Sequence, residues 1–376
     1  MTGNALRAPK VFAHFMPAHG DGGSVAHHKS LIGPHALDDP DVIEYQILTA
    51  KATHLDGFIL NPTHFRGSDD YDLNVHTLQI INRILELNET RPDFNFNYIF
   101  SYDDNGIAKG DRDTILNDYA WLRDNILFHP ERSRACFRDD VTGKQVMMVW
   151  SGHSGEGRVH HWEAVGKYLG HDKVMLLMHE GIGRDACDGH FSWFFCVPNN
   201  SPFKTEEERA RLWGSEEYDA FLAETKEHPG KMFVGSAYPG FDDRFAPWNE
   251  GWWYIARDVP EGETYALTWK KIMNYNAANA GTDFQIPWVQ VVTWNDWPEG
   301  TAVEPAAFDG YGFRATESCR SHNVMFKNLD VPADDGMGIY VPYRILLLRR
   351  AGRHETADQV LDCFLDQRYS DAWKII

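Results

Sequence analysis

Short apolar runs recur along the chain. Each is followed by polar or aromatic residues and then by a pattern of helical period. The runs are "KVFAHFM" (10–16), "GFILN" (57–61), "FNFNYIFSYDD" (94–104), "QVMMVWSG" (145–152), "KVMLLMHEG" (173–181), "HFSWFFCV" (190–197), "KMFVGSAYPG" (231–240) and "PWVQVVTW" (287–294). Between them lie helical patterns. Residues 39–55 read as a mostly buried helix through Val42, Ile43, Tyr45, Ile47, Leu48, Ala50 and Ala52, and residues 75–88 carry Leu78, Ile81, Ile84 and Leu85 on one face. Further helices are expected over 113–127 behind an Asp cap, over 161–170 with a stop at Gly170, over 205–228 and over 263–280.

Eight strands alternating with helices predict parallel β/α units. The strands are nearly continuous apolar runs, as a sheet covered on both faces requires. The expected fold class is α/β: a (β/α)8 TIM barrel with a C-terminal helical extension. Residues 1–335 would form the barrel and 336–376 would form helices packed on it. A doubly wound open sheet is the rival, but "HFMPAHGDGG" after the first strand does not spell the Gly-rich phosphate turn such a sheet usually carries. Between strands five and six the helix is missing or degraded ("GIGRDACDG"), a small mark against a regular barrel. The tail, "PYRILLLRRAG" and "ETADQVLDCFLDQRYSDAWKII", reads as two more helices.

Charge narrows the partners. The chain has 376 residues with 36 basic and 55 acidic side chains, a net charge of −19. Such a surface repels phosphate backbones and anionic lipid, so neither nucleic acid nor a membrane is expected as a partner. Five separated cysteines without C-x-x-C spacing suggest neither a disulfide framework nor a zinc ribbon, and Cys196 reads as a core filler. No run is long and apolar enough to span a bilayer, and "MTGNALRAPK" lacks the apolar core of a signal peptide. That fits a cytoplasmic protein, or one whose signal has been removed. The sequence does not fix the oligomeric state.

In a barrel of this kind chemistry sits at the C-terminal ends of the strands. The residues there are His14; Asn61 and His64; Tyr102, Asp103 and Asp104; Trp150 and His153; His179 and Glu180; Trp193, Asn199 and Asn200; Tyr238, Asp242, Asp243 and Arg244; and Asn295, Asp296 and Glu299. This is a polar, aromatic and acidic rim with no basic phosphate cradle. Sugars need flat apolar platforms and bidentate polar side chains, and Trp, Asp, Asn and His supply both. A carbohydrate is therefore the expected partner, with no cofactor and no metal. Glycoside hydrolysis usually needs two carboxyl groups with different pKa values. Asp296 and Glu299, three residues apart in "VVTWNDWPEGTAVEP" (291–305), could provide them, with Pro298 and Gly300 turning both into one cavity and Trp294 and Trp297 alongside.

"TWNDWPEGTAVEP" resembles the last-strand signature of glycoside hydrolase family 99, close to W/F-N-E-W-x-E-G-x-x-x-E-P. It is also similar to family 71, nearer W-N-D-x-x-E. "VFAHFM" and "LDGFILN" resemble the first two strands of family 71, and "YPGFDDRFAPWN" (238–249) resembles a family 99 segment. Both families are α-glycan hydrolases on (β/α)8 barrels. The resemblance implies that Glu299 is the general acid/base. In the family 99 route Asp296 would take a proton from the substrate's 2-hydroxyl, giving a 1,2-anhydro sugar with overall retention. In the family 71 route the same two positions act with inversion. Asp296 stands where family 99 has Glu, one methylene longer. Asn295, Trp294, Trp297, Tyr238, Asp242, Asp243, Trp150, Glu180, His14 and Asn61 are the expected substrate-binding residues.

Two other functions compete. Eighteen histidines, with His14, His19, His153 and His179 near strand ends, could make a metal-dependent hydrolase, although no H-E-x-x-H occurs. The aromatic rim alone would also serve a carbohydrate-binding protein without catalysis.

Overall fold

A computed structural model describes residues 4, 7–20, 29–36, 38–62, 73–104, 108, 110–150, 155–179, 186–195, 214–243, 246, 254–255, 263–307 and 312–376. Strands β1 (Lys10–Phe15), β2 (Gly57–Leu60), β3 (Asn97–Asp103), β4 (Gln145–Trp150), β5 (Val174–His179), β6 (Gly189–Phe191), β7 (Met232–Ala237) and β10 (Trp288–Val291) close into a barrel in the order β1-β10-β7-β6-β5-β4-β3-β2. Every pairing is parallel. A two-residue antiparallel pair, β8 (Phe241–Asp242) with β9 (Tyr254–Ile255), stands outside it. The eight barrel strands are those expected from the apolar runs. The third begins later, because Pro92–Phe94 is a 3₁₀ turn and Asn95 is left-handed (φ 39°). The sixth is shorter, ending at Phe191.

Alternation along the strands splits the apolar residues into two layers. Phe12, Ile59, Ile99, Val146, Met148, Met175, Leu177, Phe191, Met232, Val234 and Trp288 pack together inside the barrel. Their neighbours in sequence, among them Val11, Phe58, Phe100, Met147, Leu176, Phe233 and Val289, pack outward against helices. Both faces are thus dry, which explains the lack of polar alternation in the sequence.

The helices are α1 (Pro40–Ala52), α2 (Leu73–Thr90), α3 (Arg112–Leu122), α4 (Gly155–Ala164), α5 (Ser215–Glu227), α6 (Glu263–Ala278), α7 (Arg314–Lys327), α8 (Val341–Arg350), α9 (His354–Leu365) and α10 (Tyr369–Ile375). Asp39 caps α1, and Asp111 rather than Asp113 caps α3, accepting from Thr114 N at 2.8 Å. Gly170 (φ 87°) ends, as expected, the helical turn Val165–Leu169 that continues α4. The tail folds as three helices, not two, because the chain turns at Gly352 (φ 73°) and again at Gln367 (φ 56°). It packs on α1: Leu346 joins Val42 and Tyr45, and Arg349 reaches the buried Glu44 carboxylate at 2.8 Å. Arg83 of α2 pairs with the same carboxylate. Among the described residues, no helix is long and apolar enough to cross a membrane.

Candidate active site

Continuing the inward alternation to the C-terminal ends of the strands brings His14, Asn61, Ser101, Trp150, His179, Ser236 and Gln290 into the upper layer of the barrel, with Trp193 just beyond β6. Their contacts agree. The His14 ring meets Trp193 edge-on at 4.5 Å, Trp193 meets Trp150 at 5.0 Å, and Trp150 lies 3.9 Å from His179. His14 Nε2 shares a hydrogen bond with Gln290 Oε1 at 2.9 Å. The Gln290 amide in turn donates to the Ser192 carbonyl, and the Ser236 hydroxyl to that of Trp193.

This floor is uncharged at neutral pH. Burial depresses His14 to about 4, opposed by its bond to Gln290. Burial depresses His179 to about 3, helped by nearby Arg158, His190 and His14. Four buried atoms on these residues have no hydrogen-bond partner: His14 Nδ1, Asn61 Oδ1, Ser101 Oγ and His179 Nε2. Unpaired buried polar atoms are costly in a folded protein and common where a ligand completes them. Neutral imidazole, amide and hydroxyl beside indole faces suit an uncharged, hydroxyl-rich ligand.

The acids sit on the rim. Beyond β10 the chain passes a cis Val292–Thr293 peptide and forms a loop closed at its neck. Val303 N donates to Thr293 O at 3.1 Å, and Glu304 N donates to Trp294 O at 2.9 Å. Within the loop, Thr293 Oγ1 accepts from Asp296 N at 2.8 Å, and Asp296 Oδ1 accepts from Glu299 N at 3.1 Å. The Asp296 carboxylate therefore organises the turn that presents Glu299. Asp296 is buried and Glu299 partly so.

Two other segments are drawn to this loop. Asp242 N donates to Glu299 O at 2.8 Å, laying the "FDD" acids beside the "NDWPE" acids. Gly300 adopts φ 66°, and a Cβ there would come within 3.2 Å of Asp242, so glycine permits the close approach. Burial raises the Asp243 carboxyl, the neighbouring Asp242 charge adds to it, and Asp243 Oδ1 has no hydrogen-bond partner. From the other side, Asn295 clamps Met16 twice, accepting from its N–H at 2.8 Å and donating to its carbonyl at 3.0 Å. The clamp fixes the turn in which His19 N donates to Met16 O, and His19 Nδ1 stands 3.6 Å from Asp296 Oδ1.

Not every expected residue is placed to touch a ligand directly. The Trp294 indole is fully buried, packs 5.8 Å from Phe58, and donates to Gln46 of α1. Trp297 is buried with Ala302 and Ala306. These two rings support the loop from behind, because apolar surface of that size is driven into packing wherever a second layer is available. Asn295 spends its amide on Met16, and Tyr238 donates to the Phe195 carbonyl at 3.1 Å. Tyr102 and Asp104 also turn to structure: Tyr102 donates to Asp118 at 2.6 Å, and Asp104 accepts from Gly110 N at 3.0 Å. Glu180, His64, His153, Cys196, Asn199, Asn200 and Arg244 lie outside the described residues. Among the described residues, no group of three or more His, Cys, Asp or Glu could hold a metal ion.

Sequence reasoning missed Glu304. It is buried, accepts from the Ser30 hydroxyl and from Gln46 Nε2 (2.9 Å), and burial raises its carboxyl to about 7. The signal was present in Gln46, a polar residue inside a mostly buried helix, and in the closing E-P of the last-strand pattern, which falls on Glu304 and Pro305.

No protein-family model matches the chain, and no curated protein matches it in sequence. Solved structures do. The barrel is similar to the GH99 endo-alpha-mannosidase from Bacteroides thetaiotaomicron in complex with Bis-Tris propane, at TM-score 0.61 and 14% identity over 85% of this chain and 97% of that one. A second structure of the GH99 endo-alpha-mannosidase from that organism gives TM-score 0.60 and 13% identity over 86% and 98%. A glycoside hydrolase-like protein gives TM-score 0.55 and 12% identity over 86% and 96%. The chain thus has the (β/α)8 fold of these glycoside hydrolases along nearly their whole length. The likeness falls on one of the two families whose last-strand motif the sequence resembles.

Proposed function

We propose that this chain is a glycoside hydrolase that cleaves α-linked bonds in an oligosaccharide or polysaccharide of α-mannan or α-glucan type. The observation that carries this reading is the bond from the Asp242 amide to the Glu299 carbonyl. It gathers acids from two segments onto one rim, above a floor of neutral imidazoles, indoles and unpaired polar atoms. Glu299 is the partly buried acid. It protonates the glycosidic oxygen as the bond to the anomeric carbon breaks, and the aglycone leaves as an alcohol. Asp296 takes the proton from the attacking oxygen, whether that of water or of the substrate's 2-hydroxyl. His19 faces the Asp296 carboxylate at 3.6 Å. His14, Asn61, Trp150 and His179 receive the sugar, with Asp242 and Asp243 at its edge. Asn295, Trp294 and Trp297 hold the loop in place.

The test is a panel of α-mannans and α-glucans digested with the wild-type chain and with Glu299→Gln. Cleavage by the first and its loss in the second is the expected result. Binding of intact glycan by the wild type without any product would make the chain a carbohydrate-binding protein. Undiminished turnover by Glu299→Gln would remove that residue from the acid role.

A further inference from the structure

We infer that Glu304 is a positioning residue: with Gln46 and Ser30 it locks the neck of the acid-bearing loop to α1 and so sets where Asp296 and Glu299 stand. The inference rests on the reading of that loop as the reactive one. Glu304 is 1% exposed, so it meets no substrate. Its role must pass through its partners.

Donor and acceptor chemistry makes the network directional. The Trp294 indole N–H can only donate, and it donates to Gln46 Oε1. That fixes the Gln46 amide, whose Nε2 must then face an acceptor, and Glu304 Oε2 takes that place at 2.9 Å. Glu304 Oε1 accepts from the Ser30 hydroxyl. Ser30 is itself held by its bridge to Ala306, next to which Leu31 N donates to Pro305 O at 2.8 Å. Trp294 and Glu304, the two ends of the loop, are therefore joined twice. One link is the backbone bond from Glu304 N to Trp294 O, and the other runs through Gln46 on a helix outside the barrel.

The link continues to the acids by direct bonds. Thr293, adjacent to Trp294, holds the Asp296 amide, and the Asp296 carboxylate holds that of Glu299. A buried carboxyl is costly, and an apolar side chain of similar volume would pack more cheaply. What the carboxyl adds is a fixed register between loop and helix. Misplacing a reactive group by about 1 Å can cost on the order of a hundredfold in rate.

The experiment compares Glu304→Gln, Glu304→Leu and Gln46→Met in the full chain. It measures kcat, KM and amide hydrogen exchange of peptides over 293–304 and over β3 and β4. Glu304→Leu is expected to lose about ten- to a hundredfold in kcat with KM changed less than about threefold. Exchange over 293–304 should rise about tenfold while the strands stay protected. Glu304→Gln should retain most of the turnover, since its amide can accept from Gln46 and donate to Ser30. Should Glu304→Leu fail to fold, Gln46→Met cuts the same link from the helix side, with the same loop-confined signature expected. Unchanged exchange over 293–304, or a rise spread evenly through the barrel, overturns the inference. If the wild type cleaves no glycan, the proposed function fails, yet the exchange result still decides whether Glu304 holds the loop.

Discussion

The floor of the barrel and the wall behind the acid loop both bury ionisable groups, and in both burial disfavours the charged form. The groups are of opposite type. His14 and His179 are held neutral because burial lowers them to about 4 and about 3, whereas Glu304 is raised to about 7. The floor therefore loses stability in acid and the wall loses it toward neutral pH. Between them lies the rim, where Asp296 is buried and Glu299 partly exposed. A single strand-to-loop passage, β10 into 292–304, separates the floor from the wall.

The largest effect expected is on the rim alone. Glu299→Gln should lower kcat by about 10²- to 10⁴-fold while leaving the melting temperature at pH 7 within a few degrees. A parallel loss of stability would merge rim and wall into one unit.

Next comes the floor. In the unfolded chain both imidazoles take up a proton near pH 6.5, but in the folded barrel only near 4 and 3. Between those values the unfolded chain binds more protons, so acid favours it. Urea unfolding should show a loss of about 3 kcal/mol for each imidazole between pH 7 and pH 4, and His14→Gln should remove one such increment. An unchanged pH slope in that variant would mean that His14 titrates normally.

The wall should give the mirror image. Glu304 keeps its proton in the folded state up to about pH 7, whereas the unfolded chain releases it near 4.5. Its contribution is full below pH 4.5 and is lost as pH rises toward 7, by about 3 kcal/mol. Unfolding of Glu304→Gln should lack this loss, so its stability relative to wild type should climb from pH 5 to pH 7.5. A constant difference would remove the contrast between floor and wall.

The smallest effect joins the regions. Asn295→Ala leaves the Met16 N–H and carbonyl without their partner and should cost about 2 kcal/mol in chemical unfolding, with a drop in kcat as His19 shifts from Asp296. A cost without any change in kcat would show that the His19 contact is idle.

Much of this was legible in the sequence for a physical reason. A closed parallel barrel buries both faces of each strand, so its strands appear as continuous apolar runs, and the last-strand acids follow such a run directly. Their position at the C-terminal ends of the strands also singled out His14, Asn61 and Trp150. What was illegible was which side of the loop each aromatic takes. Trp294 and Trp297 flank the acids in sequence, but successive loop residues have no fixed alternation, and the rings went to the packing layer. The role of Glu304 was hidden because its partners, Ser30 and Gln46, lie 274 and 258 residues away. The tail's third helix was hidden because Gln367, not a glycine, takes the left-handed turn.

Helix α1 has a second attachment with a consequence for the chain's far end. One residue before Gln46, Tyr45 packs on Leu346, and one turn of the helix also carries Glu44, gripped by Arg349. Residues 341–376 thus brace, through one helix, the bond that anchors the acid-bearing loop. Removing residues 341–376 is therefore expected to disturb the loop that carries Asp296 and Glu299, although none of those residues lies near it in sequence.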